Sequence, residues 1–169
     1  MGLPRTLKNC NVFNEGQSYM GEIAEVSLPK LGRKFEKYRG GGMNGEVSLD
    51  LGQQPLELEM SCAGIMEQIF EQYAITKVAG VMLRFAGSYQ RDDTGAVDAV
   101  EIVVRGRHEE IDMGKAKGGD KTDFKVKSAL SYYKLSINGA VKIEIDLLNF
   151  VEIVNGKDIL ADQRKAIGL

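Results

Sequence analysis

Residues 141–147 read VKIEIDL, and the alternation in this stretch decides the fold class. In an extended chain Val141, Ile143, Ile145 and Leu147 point to one side, and Lys142, Glu144 and Asp146 to the other. One face belongs to a core and one to water, which antiparallel sheets permit. Just upstream, Asn138-Gly139 offers the residues that a tight two-residue hairpin turn requires, because both of its central positions need positive φ. The segment is therefore the second half of a hairpin whose first half lies within 124–137.

The same period recurs outward in both directions. Val47, Leu49 and Leu51 alternate with Ser48 and Asp50, and Leu56, Leu58, Met60 and Cys62 with Glu57, Glu59 and Ser61. Val81, Leu83, Phe85 and Gly87 repeat the pattern, as do Val100, Ile102 and Val104. Each run is expected to bury its apolar face. RDDTG at 91–95 and Asn155-Gly156 supply further turns. Between Phe124 and Ile137 the apolar parity switches near Tyr132-Tyr133, which one extra residue in a bulge would produce.

A single stretch has clear helical spacing. Ile65, Met66, Ile69, Phe70 and Tyr73 share a face opposite Glu67, Gln68, Glu71 and Gln72, and would plug one open side of a sheet. A second, short helix is expected from Ile159 to Lys165. No repeat or linker divides the chain, so residues 1–169 read as a single domain. The fold class is mostly β: an antiparallel β-barrel or sandwich with one covering α-helix and a long glycine-rich hairpin arm.

That arm is YRGGGMNG at 38–45, flanked by GRKFEK and EVSLDL, which can pair as antiparallel strands. Three consecutive glycines give a loop too flexible to serve alone as a rigid cradle. Such a loop is either a solvated hairpin tip or an arm that becomes ordered against a neighbour.

Composition narrows the function. The chain of 169 residues is long enough to bury roughly 70% of its unfolded surface. It has 22 basic and 24 acidic side chains, a formal net charge of -2, which argues against a protein that coats DNA. Cys10 and Cys62 are too far apart for a metal knuckle and too few for a disulfide framework, and Cys62 sits on an apolar face, as a buried thiol would. No run is as long as a membrane helix and no signal peptide opens the sequence. Met1-Gly2 with Thr6 fits an acylation pattern, a match that chance often supplies.

No motif selects a reaction. GKAKGGDKT at 114–122 has phosphate-loop glycine spacing, but Asp120 intrudes before Lys121-Thr122, and a strand follows where a helix should start. His108, with Glu109, Glu110 and Asp112, has no partner at a metal-binding spacing and reads as a solvated strand end. The five lysines between Lys115 and Lys127 are diluted by Asp120 and Asp123. Catalytic, cofactor and metal residues are accordingly expected to be none, and the protein not an enzyme.

An ordered set of segments resembles the FII family of tail tube proteins, the major tail tube proteins of contractile-tailed bacteriophages. The segments are LPKL at 28–31, YRGGGM at 38–43, FAGSYQRDDTG at 85–95, Arg105-Gly106 with EEID at 109–112, YYKL at 132–135, EID at 144–146, NGKD at 155–158 and IGL at 167–169. The tubes of headless R-type bacteriocins are similar. The resemblance implies a subunit of hexameric rings stacked into a hollow tube. Its partners would be further copies, the tail sheath protein, and baseplate and tail terminator proteins. DNA would pass without specific binding, and no membrane would be involved. The location implied is the virion tail, after assembly in the bacterial host cytoplasm.

The same resemblance makes the glycine loop an assembly arm, with Tyr38, Arg39, Gly40, Gly41, Gly42, Met43 and Asn44 as contact candidates. A lumen that passes DNA should not hold phosphate, which points to an acidic wall bearing Glu57 and Glu59, or Glu144 and Asp146. Two other classes stay open from the residues alone. A small-ligand-binding β-barrel would show an apolar cavity and no filaments, and a hydrolase would lose activity with one carboxylate.

Overall fold

In the computed structural model, which describes residues 1–169, the backbone forms twelve strands and two short helices. The first strands are β1 (Arg5–Asn14), β2 (Gln17–Ser18), β3 (Ile23–Ser27), β4 (Arg33–Tyr38), β5 (Val47–Gln53) and β6 (Leu56–Cys62). After α1 (Glu67–Glu71) come β7 (Val81–Arg91), β8 (Val97–Asp112), β9 (Phe124–Ile137) and β10 (Ala140–Asp146). The chain closes with β11 (Val151–Val154), β12 (Lys157–Asp158) and α2 (Ala161–Ala166).

Ten strands make one antiparallel sheet in the order β12-β11-β10-β9-β8-β7-β1-β2, with β6 also on β9 and β3 on β6. The turns form where their residues allow. Asn138 and Gly139 take φ of 51° and 82°, Asn155 and Gly156 52° and 77°. β9 is the branch point. Its first half, Phe124 to Leu130, pairs with β6 and its second half, Tyr132 to Ile137, with β10, while β8 lies along its other edge.

The two halves meet at a bulge. Gly106 pairs with Leu130 but Arg105 with Tyr132, so Ser131 is the extra residue. Leu130 and Ser131 are both buried, and the parity then continues through Tyr133. The bulge lies one residue before the position that the apolar pattern suggests. Gly106 is needed there: a Cβ would run into the Ala129 carbonyl.

The core fills the concave side of the sheet. Leu56, Leu58, Met60, Leu83, Phe85, Ile102, Val104, Phe124 and Val126 pack in it with Tyr19, and α1 closes one end with Ile69. The helix is shorter than its apolar spacing implies. Met66 and Ile69 are buried, and Phe70 meets Phe124 edge-on at 5.5 Å, but Ile65 and Tyr73 stay exposed because one turn suffices to cover the opening. Helix α2 buries no residue.

Two expectations from alternation are corrected. Val47, Leu49 and Leu51 are 47%, 45% and 52% exposed, because β4 and β5 form their own two-stranded sheet with no layer beneath it. Period 2 shows that a face is apolar, not that the same chain covers it. In β10, Ile145 is 4% exposed but Val141 39%, because β10 leaves the core toward its hairpin tip.

These positions should respond very differently to charge. Ile145→Asp is expected to cost at least about 3 kcal/mol, from lost apolar burial and an unpaired buried carboxylate, and to unfold the subunit. Val141→Asp should stay within about 1 kcal/mol. Thermal unfolding of the two unassembled variants checks this, and similar losses in both would contradict the burial difference.

Candidate assembly site: the hairpin arm and its root

Strands β4 and β5 pair only with each other, Tyr38 opposite Val47 and Glu36 opposite Leu49. Side chains directly opposite share a face, so Tyr38, Val47 and Leu49 line one side of the arm, and all three are exposed. At the tip the glycines are folded into a turn. The Met43 N–H donates to the Gly40 carbonyl at 3.2 Å, Arg39 Nε donates to the Met43 carbonyl at 3.1 Å, and Gly42 has φ of 81°. Gly40 lies against the Tyr38 ring, where a Cβ would approach within 3.3 Å. Gly41 and Asn44 are exposed beside it. The seven candidate residues thus form one connected tip, with more internal order than three glycines suggest.

Sequence reading missed the root. Arg33 Nη1 donates to both carboxylate oxygens of Glu152 at 2.7 and 2.9 Å, and its Nε to Asp50 at 3.0 and 3.2 Å. Glu152, on β11, is 5% exposed. The Arg33 hydrogen bonds hold the Asp50 carboxyl below its ordinary range, helped by the Gly52 N–H, and those to Asp50 and Glu152 strengthen the guanidinium's hold on its charge. Glu152 sits on β11 at a position its neighbours give no reason to bury, so only tertiary structure pairs it with Arg33.

The four acidic wall candidates stand on the outer, wet face of the sheet. Glu57 is 3.6 Å from Lys127 Nζ, and Glu59 lies opposite Lys127. Glu144 lies opposite Lys134 and accepts a hydrogen bond from Tyr132 Oη at 3.1 Å; burial and this carboxylate push the Tyr132 hydroxyl up to about 12. Asp146 accepts from the Leu148 and Asn149 N–H groups and so caps the turn into β11. The β6 pair and the β10 pair follow one another along the same edge of β9, with Lys127 beside the first and Lys134 beside the second.

Over residues 4–168 the sequence matches the family described as phage tail tube protein FII. The chain belongs to that family. It is 49% identical to the tail tube protein of Escherichia phage P2 over 172 aligned positions, covering 100% of both chains. It is 37% identical to the major tail tube protein of Serratia phage KSP20, covering 100% of this chain and 99% of that one.

The tail tube fold also extends to distant solved structures. A chain of the sheath–tube complex of an extracellular contractile injection system, PVC, in its extended state matches with a TM-score of 0.60 at 10% identity, covering 79% of this chain and 91% of that one. A chain of the PVC sheath/tube terminator gives 0.61 at 10% identity, with 79% and 96% covered. The anti-feeding prophage baseplate gives 0.51 at 12%, with 80% and 97% covered.

Two other regions singled out in the sequence have local ion pairs or buried hydrogen bonds. In the Lys115 to Lys127 run, Lys117 meets Asp120 at 3.6 Å and Lys125 meets Asp123 at 3.7 Å, while Lys115 and Lys121 form no ion pair within the subunit. His108 is buried, contrary to the solvated strand end expected above. Alternation through Ile102, Val104, Gly106 and His108 carries it inward, a signal present in the sequence. Its Nε2–H donates to Gln72 Oε1 and its Nδ1 accepts from Ser128 Oγ, both at 2.9 Å. Asn14 Nδ2 donates to Gln72 Oε1 at 2.8 Å and to Tyr19 Oη at 3.0 Å, and Tyr19 Oη donates to Gln68 Oε1 at 2.7 Å. The network fastens α1 to the sheet, and its serine hydroxyl, Ser128, is buried from solvent. Cys62 is buried as expected, its thiol pushed up to about 11.

Burial lowers the His108 pKa from 6.5 to about 4. Below pH 6.5 the unfolded chain takes up a proton that the folded chain refuses. The stability from burying a neutral ring is therefore complete above pH 6.5 and lost as pH falls toward 4, about 3 kcal/mol in all. Denaturant titrations from pH 7 to 4.5 should show a steeper loss in the native subunit than in His108→Gln. Parallel losses would rule out the contribution.

Proposed function

We propose that the chain is the structural subunit of the inner tube of a contractile phage tail, a single tail-tube domain that closes into hexameric rings. The rings stack into a hollow conduit for DNA ejection. The observation that carries this reading is an end-to-end match to the tail tube family in a chain whose arm presents an apolar stripe, Tyr38, Val47 and Leu49, that nothing in the subunit covers. Uncovered apolar faces of this kind mark contact sites.

The mechanism is geometric. Arm residues 38–44 reach an adjacent subunit or ring, and burial of Tyr38 and Met43 offsets an ordering cost of roughly 1–2 kcal/mol per residue. Free strand edges gain partners as the ring closes. The tip's existing turn lowers that cost, because part of the order precedes contact. Partners beyond the chain's own copies are the sheath, the baseplate and the tail terminator, consistent with the assemblies in which the distant structural neighbours occur. The subunit resides in the virion tail after assembly in the host cytoplasm, with no reaction or cofactor of its own. Both named relatives are phage proteins, which favours a phage tail over a bacteriocin.

Passage of DNA requires a wall that does not retain phosphate, since each neutralised phosphate adds affinity. A wall bearing Glu57 and Glu59, or Glu144 and Asp146, meets this condition: Lys127 is paired with Glu57 at 3.6 Å, and Lys134 lies opposite Glu144.

Negative-stain electron microscopy over a concentration series should show rings or hollow filaments with six-fold end views. Deleting Gly40 to Gly42 should leave a folded subunit, with melting near native, that no longer stacks. Unchanged tubes after that deletion would return the loop to a solvated hairpin tip.

A further inference from the structure

The arm poses a mechanical problem at its root. Its strands pair with no other strand, so no sheet ladder sets the angle at which it leaves the body. Gly32 precedes it, and Gly52, near its end, has φ of 122°, a backbone region in which side chains are strained. Between Arg33 and Phe35 the pairing slips by one residue, so the root is also bulged. The Gln54 N–H and Gln53 Nε2 donate to the Gly32 carbonyl at 3.0 and 2.9 Å, bonds that tie the two strands together rather than the arm to the body.

One polar bridge crosses from arm to body: Arg33 to Glu152. Clefts of about 370 and 300 Å³ open on either side of it, one lined by Leu51, Leu147 and Phe150, the other by Leu31, Ile143 and Ile159. The root is therefore not packed solid on either flank. The bridge is built to persist, because a buried carboxylate without its partner is costly. A guanidinium is also the group suited to it: one rigid plane meets Glu152 on β11 and Asp50 on β5 at once, while rooted on β4.

We propose that the Arg33–Glu152 bridge is a latch that sets the direction of the arm, and that Arg33 and Glu152 are positioning residues for assembly. The latch holds the Tyr38–Val47 stripe at one angle before any neighbour is met. Its consequence for assembly rests on the tube reading; the latch itself does not.

The test measures arm direction in the dilute, unassembled full chain. Spin labels at Ser48→Cys on the arm and Glu109→Cys on the body, with Cys10→Ser removing the exposed native thiol, report their distance distribution by pulsed electron resonance. A single narrow distribution is expected with the bridge intact. Glu152→Gln should broaden it at least about twofold, and Arg33→Lys, which keeps the charge but loses the planar fork, should broaden it too. Should Glu152→Gln fail to fold, Arg33→Lys carries the test, since it leaves the carboxylate a cation. The exchanged pair Arg33→Glu with Glu152→Arg should narrow the distribution again relative to Arg33→Glu alone. A distribution as narrow as native in a folded Arg33→Lys or Glu152→Gln chain would overturn the latch. The same variants should need a higher concentration to form tubes. Native chain that forms no tubes would count against the tube reading alone, while the distance widths still decide the latch.

Discussion

A strand carries hydrogen-bonding groups on two edges, and in this subunit β9 divides its two edges among three neighbours. β8 runs along one edge, and the other is shared between β6 and β10. Ser131 is where the sharing becomes possible. One extra residue turns the second half of β9 enough for a different strand to take over, and it reverses which side chains face inward. Gly106 on β8 keeps the two strands in contact across that turn. The core, the placement of α1 and the position of β11 all descend from this branch, and β11 in turn carries Glu152 to the root of the arm.

The subunit handles its polar groups in two ways. Under α1, Asn14, Gln72, His108 and Ser128 form a neutral set in which donors and acceptors match, and it adds to the apolar anchoring of the helix by Ile69 and Phe70. At the arm root the same task falls to charge, with one guanidinium between two carboxylates. The neutral set defines a single closed arrangement. The charged set joins two pieces that otherwise touch little, and so governs an angle.

Most of the fold was legible because period 2 and turn chemistry are local. Val81 to Gly87, Leu56 to Cys62 and the Asn138-Gly139 turn needed no tertiary knowledge. The bulge was legible to within one residue, since a parity switch records it directly. His108 was legible in principle, because the alternation from Ile102 reaches it, but its acidic neighbours drew attention outward. Val47, Leu49 and Leu51 were misplaced because alternation reports which face is apolar and says nothing about what covers it. The Arg33–Glu152 bridge could not be read at all: the two residues are far apart in sequence, and neither lies in a pattern that marks it.

The uncovered stripe on the arm has a consequence for how variation in this protein is seen. Tyr38, Val47 and Leu49 contribute less to the folding free energy of the lone subunit than the core residues do, because each keeps about half of its surface, 53%, 47% and 45%, in water after folding. Substitutions there should shift the melting temperature less than substitutions in the core. A screen that ranks variants by melting temperature underweights this surface. In the proposed tube one subunit's change there recurs at every copy, so a small energy is multiplied along the length of the tube.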